Sequence, residues 1–474
     1  MRTNGAAAGQ AVIADRPVGL PPGPRTPRAV QLLSWLPRPL QFLEDCHARY
    51  GEIFTIHIRA SKPWVFISNP EHIKRVFTAD TDVVLAGAEN ALMLGPYVGR
   101  ASTIILDGAA HMRRRKLVLP PFHGARVKTY GETVVDVVRR EIDTWPVGEP
   151  FSLLPGMGNI TLEVIMRAVF GVTEEDHVQR LGARLHKVLE DNTDHRFVAR
   201  LVFRGAESVE RNARFRRAMD PVDEMLLEEV RRRRADPDVD QHDDVLAMLI
   251  QARYEDGSQM SDEELRDEIK TLLVAGHDTT TATLTWVFER LLRHPDKLQR
   301  IQDELRAGED SGYIDAVIQE TMRLRPSVMA AMRRITEPLE LGGYTLPAGT
   351  SVYVSIYLTH RRADIYPEPE SFRPERFMER APGTYTWLPF GGGVRRCIGA
   401  AFAMYEMRKV IETIVREADL RAVDPRPEGI ARGWVTFIPD KGTRVVMNAR
   451  RRPDTAGAPA QSSTPASTPT STPA

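Results

Sequence analysis

One run limits what this chain can fold into more than any other. From Ser261 the residues read SDEELRDEIKTLLVAGHDTTTATLTWVFERLLRH, with no proline until Pro295. About 33 helical residues would span ~50 Å, against a usual helix of about 11–12 residues. Ser261 and Glu264 form a capping box at its start. The ends are charged and the middle, TLLVAG and TATLTWVF, is nearly uncharged, the pattern of a helix that crosses a protein interior. Yet the centre carries Gly276, His277, Asp278, Thr279 and Thr280. Gly276 costs about 1 kcal/mol relative to alanine in a helix interior. Mid-helix threonine hydroxyls bond back to the preceding turn and bend it. An acid beside an alcohol at the deepest, weakest point predicts a local opening next to something bound there. A polar patch at a helix crossing is the alternative.

Around this run the pattern is helical from about 130 to 325, with short strands before and after. YGEIFTIHI and PWVFIS read as a hairpin, and NPEHIKRVFTA as a short helix capped by Asn69 with Pro70 first. LELGGYTLPAGTSVYVSIYL reads as short strands with Gly-Gly and Pro-Ala-Gly turns, and WVTFIPDKGTRVVMN as a hairpin around Asp-Lys-Gly. The fold class is therefore mainly α with small β-sheets (α+β). Although 474 residues would suit about three domains, no long linker divides residues 20–452, which read as one folded unit. Residues 1–19 read as a flexible tail. Residues 453–474, rich in Ser, Thr, Pro and Ala, read as disordered. No stretch of about 18 consecutive apolar residues predicts a membrane span, and Gln10, Asp15 and Arg16 interrupt any signal sequence. Lys plus Arg and Asp plus Glu are both 64, so nothing global points to nucleic acid.

The two cysteines, Cys46 and Cys397, exclude a disulfide framework and a four-thiolate metal site and fit a reducing compartment. Cys46 reads as a packed core residue. Cys397 is different: LPFGGGVRRCIG places three glycines and two arginines before it and a long helical pattern after it. Helix-terminal N–H groups and the charges of Arg395 and Arg396 favour thiolate, the metal-ligating form. A buried free cysteine or a phosphate loop are the alternatives, the latter weak because neither Lys-Ser/Thr nor a completing GxGxxG follows. Glu320 and Arg323 share a helix face. A second arginine, Arg376 in FRPERF, would complete a buried triad that is costly to break.

Together these segments resemble the cytochrome P450 family, the haem-thiolate monooxygenases, in its soluble bacterial form. Phe390–Gly399 resembles that family's cysteine loop, Ala275–Thr280 its oxygen-activation motif, and Glu320, Arg323 and Arg376 its structural triad. The resemblance implies haem b (iron protoporphyrin IX) between the long central helix and the cysteine loop, with Cys397 thiolate on the iron. It implies that Arg395, His111, Arg115 and Arg333 hold the propionates, Arg334 leaving the register of the last open. Phe390 would shield the sulfur and Gly276 border the cofactor. Asp278 and Thr279 would be the catalytic pair, Asp278 feeding protons from solvent, with O2 as co-substrate. Electrons would come from NAD(P)H through a separate ferredoxin reductase and ferredoxin, docking on the basic run Arg113–Lys116. Arg231–Arg234 reads as a solvated run. The Pro-rich segment Leu20–Pro24 without an anchor before it implies a soluble, cytoplasmic monomer. By family position the pocket walls are 83–104, 178–220, the long-helix centre, 328–332 and 434–438. Leu92, Met93, Ala275, Val328, Met329 and Phe437 among them suit a lipophilic substrate, to be hydroxylated or epoxidised. A peroxide-driven peroxygenase and a non-catalytic haem-binding sensor are the rival readings. The intact Asp278–Thr279 pair argues against both.

Overall fold

A helix of 30 residues, Asp262–Leu291, runs through the interior, opened by the Ser261–Glu264 capping box. The computed structural model describes residues 19–58, 62–171, 180–182, 184–185, 188, 205–433 and 435–451. The expected tails, apart from Gly19 and the chain up to Arg451, lie outside the described residues, as do much of 178–204 and Trp434.

The central helix owes its length to burial: Leu265, Ile269, Leu273, Leu284, Trp286, Val287 and Leu291 are all fully enclosed. All but Trp286 join one large apolar cluster with residues of helices Gly131–Thr144, Leu153–Phe170, Ala213–Arg234, Tyr313–Leu324 and Ala400–Glu417. Leu153–Phe170 is long and apolar enough to cross a membrane, but 67% of it is buried inside the protein. It lies against the central helix, where Gly276 meets Ile165: an added Cβ would sit 3.1 Å from Ile165 Cγ1 and Cδ1. Close packing against Ile165 thus favours a glycine here. The expected opening at 275–280 is absent. The helix is continuous there, and its threonines turn their hydroxyls back onto the preceding turn without breaking it. Thr279 Oγ1 donates to Ala275 O at 2.9 Å, Thr281 to His277 O at 2.9 Å and Thr283 to Thr279 O at 2.8 Å.

A five-stranded sheet flanks the helices in the order Ile53–Ile56, Trp64–Ile67, Ser351–Ser355, Ala330–Ile335, Val84–Leu85. The predicted first hairpin is present in register Ile53 to Ile67. The Asn69 cap is made by its side chain accepting from Glu71 N–H, and Leu339–Leu341 pairs with Tyr344–Leu346 across the glycine pair. The C-terminal hairpin is not formed. Phe437–Pro439 pairs with Ile430–Arg432, whereas Arg444–Arg450 pairs with Pro150–Ser152 and Ala418–Ala422. The physical reason is Glu428. Its buried carboxylate accepts from the N–H groups of Lys441, Thr443 and Arg444 at 3.2, 2.9 and 2.9 Å, capturing donors that open the second strand.

Candidate functional site

The glycine-rich loop is shaped by close approach to the chain at Phe77. Gly393 has φ 64°, open to glycine at little cost, and a Cβ there would lie 2.2 Å from Phe77 O. The loop then closes on itself, Cys397 N–H donating to Phe390 O at 2.9 Å, and helix Ala400–Glu417 follows. Phe390 is half-buried and stands edge-on to Trp387, ring centroids 6.0 Å apart. Cys397 keeps accessible surface although protein encloses it, so it faces an internal space. Burial pushes its thiol above the ordinary range, opposed by the Gly399 N–H, Arg115 and Arg396. Cys46 is a core residue, its thiol pushed up to about 12 by burial and by Asp45.

Beside the loop lies a cationic cluster. His111 is 2% exposed and its Nδ1 has no partner. Burial, then Arg395 and Arg115, push it down to about 4, so it is neutral. Arg333 is buried, its pKa pulled down to about 10 by burial and then by Arg395. Its contacts are Met332 O at 2.8 Å and the Phe77 ring at 5.0 Å. Arg115 Nη2 donates to Arg396 O at 2.7 Å. Arg334, next along the strand, pairs with Glu89 at 2.7 Å. Arg395 is not free. It donates to Asp107 Oδ1 at 2.6 Å, to Thr103 O at 3.2 Å and to Leu106 O.

Asp107 was not singled out in the sequence. Its carboxylate also accepts from Ala86 and Gly87 N–H at 2.9 and 2.7 Å and from Ala88 N–H at 2.8 Å. One acid thereby closes both ends of the 86–107 segment onto the cysteine loop. Asp107→Ala is expected to cost about 2–3 kcal/mol by leaving donors unpaired, and Asp107→Asn, which keeps an acceptor, less than half of that. Chemical denaturation of the three proteins measures this.

On the central helix Ala275 is exposed and Leu272, Gly276, Asp278 and Thr279 are half-buried, within a helix otherwise buried on both sides of them. Residues 272, 275, 276 and 279 fall on one face, a stripe open to an internal space. His277 faces away, its Nδ1 2.9 Å from Thr161 Oγ1. Asp278 Oδ2 accepts from Thr436 Oγ1 at 3.0 Å. Of the pocket candidates, Leu92 and Met93 are half-buried and Val328 is 37% exposed. Phe437 is buried, its carbonyl accepting from Trp286 Nε1 at 2.8 Å. Met329 departs from its expected place, packing into the cluster of Trp35, Trp64 and Tyr353.

Glu320 is fully buried. It takes Arg323 Nε and Nη2 at 2.7 and 2.9 Å, Arg376 Nε at 3.1 Å and Arg373 N–H at 2.9 Å. The basic runs carry ion pairs, some on the surface and some buried. Arg113 pairs with Asp256 and Lys116 with Glu255. Arg114 is buried between Glu264 and Glu268, so Arg113–Lys116 is not the free basic face expected. Within the run read as solvated, Arg233 is 2% exposed and paired with Asp244.

The comparisons with known proteins agree with this architecture. The cytochrome P450 family model matches residues 21–443. "Putative cytochrome P450 135B1" of Mycobacterium tuberculosis is 40% identical over 441 residues, 92% of each chain. "Putative cytochrome P450 138" of Mycobacterium bovis is 38% identical over 443 residues, 91% of this chain and 97% of that one. The solved structure of retinoic acid bound cyanobacterial CYP120A1 has the same fold, with TM-score 0.78 at 23% identity over 91% of this chain and 99% of that one. The chain belongs to the cytochrome P450 family and is a monooxygenase that uses haem b, O2 and electrons from NAD(P)H passed through redox partners.

Proposed function

We propose that this enzyme inserts one oxygen atom into a lipophilic substrate, by hydroxylation or epoxidation, with Cys397 as the thiolate ligand of haem b. The observation that carries the assignment is the cationic cluster adjoining an interior-facing cysteine. Arg115, Arg333 and Arg395 all act on His111, Asp107 is the one carboxylate that does, and the buried His111 Nδ1 lacks a partner. A planar group bearing two carboxylates suits that imbalance, since charge-assisted pairing is the strong kind. The residues therefore fit haem. Arg333, Arg115 and His111 have donors to give, and Arg395 would share its guanidinium with Asp107. When bound, haem supplies oxygen activation, which a thiolate ligand favours.

The chain's own residues do the rest. Phe390 screens the sulfur side. The stripe at Ala275 and Thr279 borders the reacting space, and Asp278 carries a proton to it. Leu92, Met93, Val328 and Phe437 supply apolar wall. Electrons come from a separate ferredoxin and its reductase, and the reading places the enzyme in the cytoplasm with those carriers. With Arg113, Arg114 and Lys116 already paired, the docking face is assigned elsewhere than that run.

A ligand screen by Soret shift identifies substrates. Turnover with ferredoxin, reductase and NAD(P)H, and none with peroxide alone, is the expected result; efficient turnover with peroxide alone overturns it. Thr279→Ala is expected to keep the carbon monoxide spectrum while product per NAD(P)H falls by about 10²-fold, the lower end of what positioned proton transfer contributes. Full coupling in that variant removes Thr279 from the chemistry.

A further inference from the structure

We infer that Thr436 is the positioning residue for Asp278, holding its carboxyl from the C-terminal turn. Asp278 and Thr436 are 158 residues apart, and Thr436 Oγ1 donates to Asp278 Oδ2 at 3.0 Å. Thr436 is 0% exposed, so its hydroxyl has no solvent to turn to. The chain that carries it is fastened to the central helix at two further points, both C-terminal to this contact. Trp286 Nε1 donates to Phe437 O at 2.8 Å, and Thr443 Oγ1 donates to Thr285 O at 3.0 Å. Gly433 N–H donates to Thr436 O at 2.9 Å, and a Cβ at Gly433 would lie 2.9 Å from Thr436 Oγ1. The small residue at 433 thus leaves room for the hydroxyl where it is. Phe437, the next residue, is a pocket-wall candidate, so the anchor of the acid is built into that wall.

The effect on the acid follows from its surroundings. Burial raises the Asp278 carboxyl above the usual range, opposed by the Thr436 hydroxyl and the Val435 N–H. No charged group from the packed elements contributes among the described residues. His277, next along the helix, points to Thr161 and Thr281 instead. A hydroxyl donating to a carboxylate stabilises the charged form. Thr436 therefore sets how readily Asp278 gives up a proton, and holds Oδ2 in place.

This inference rests on the reading of Asp278 as proton carrier, and the test keeps the two apart. In the holoenzyme, the carboxylic-acid stretch of Asp278 is identified by infrared difference as the band lost in Asp278→Asn, and its titration is followed. Thr436→Val is expected to move the midpoint up by about one pH unit, the scale of one hydrogen bond to a charged group. Thr436→Ser is expected to restore it. Gly433→Ala, which crowds the hydroxyl without removing it, is expected to shift it the same way as Thr436→Val and keeps the test open should the valine variant not fold. An unshifted midpoint in Thr436→Val, a serine variant that behaves like valine, or the absence of any band removed by Asp278→Asn overturns the inference. Unaltered coupling of electrons to product in Asp278→Asn overturns the proton-carrier reading by itself.

Discussion

Cys397→Ala is expected to abolish the carbon monoxide difference band of a thiolate-ligated haem and to lower monooxygenase turnover by at least about 10³-fold, the scale on which loss of a reacting group acts. The argument begins with the sulfur's setting. Desolvation raises the thiol, and neither the Gly399 N–H nor the charges of Arg115 and Arg396 offset it. On the proposed reading the iron of haem would supply the cation that stabilises a thiolate in this enclosure. The cationic cluster is untouched by the substitution, so haem content, measured after extraction as the pyridine complex, is expected to fall much less than turnover does. A variant that keeps the thiolate-type band overturns the assignment of Cys397. Loss of haem together with loss of the folded state is excluded by comparing unfolding midpoints.

What the sequence made legible was local. The central helix could be read because capping box, missing prolines and charge pattern all lie within one run. Glu320 and Arg323 could be paired because they are three residues apart on a helix, and the first hairpin because its strands adjoin. What escaped depends on partners distant along the chain. Asp107 is one acid among many until the fold brings Arg395 to it from 288 residues away. Thr436 has no signature without Asp278. The C-terminal strands alternate as a hairpin should, and nothing nearby shows that Glu428 will take the backbone donors of Lys441, Thr443 and Arg444. The basic runs misled for the same reason. Arg114 and Arg233 look solvated in sequence and are buried because Glu268 and Asp244 arrive from other helices. The close approach of the chain at Phe77 to Gly392 and Gly393 is likewise not visible in the glycine-rich run itself.

Glu320→Ala carries the largest expected loss of stability, about 3–5 kcal/mol, because it strands buried charge. Arg323 is 0% exposed and Arg376 9%, and Glu320 is the carboxylate both use. After its removal Arg323 keeps the carbonyls of His360, Pro369 and Ser371 at 2.9, 2.7 and 3.2 Å, and Arg376 that of Pro367 at 3.2 Å. Neutral acceptors do not cancel two buried positive charges. The damage is expected to reach the cysteine loop by a defined route. Arg323 holds His360 O, and His360 Nε2 accepts from Leu388 N–H at 2.8 Å. That acceptor role requires a neutral ring, which burial and the charges of Arg323 and Arg361 enforce by pushing His360 down to about 3. Leu388 leads into Phe390, whose carbonyl takes the Cys397 N–H. Glu320→Ala is therefore expected to lower the denaturation midpoint and the haem-bound fraction together, while whatever holoenzyme remains keeps the wild-type spectrum. Glu320→Gln, which retains an acceptor but not the charge, is expected to fall between. A wild-type denaturation midpoint in Glu320→Ala would show that the two guanidinium groups are satisfied by backbone alone. Normal stability with an altered carbon monoxide spectrum would instead move Glu320 from a supporting role into the chemistry of the haem.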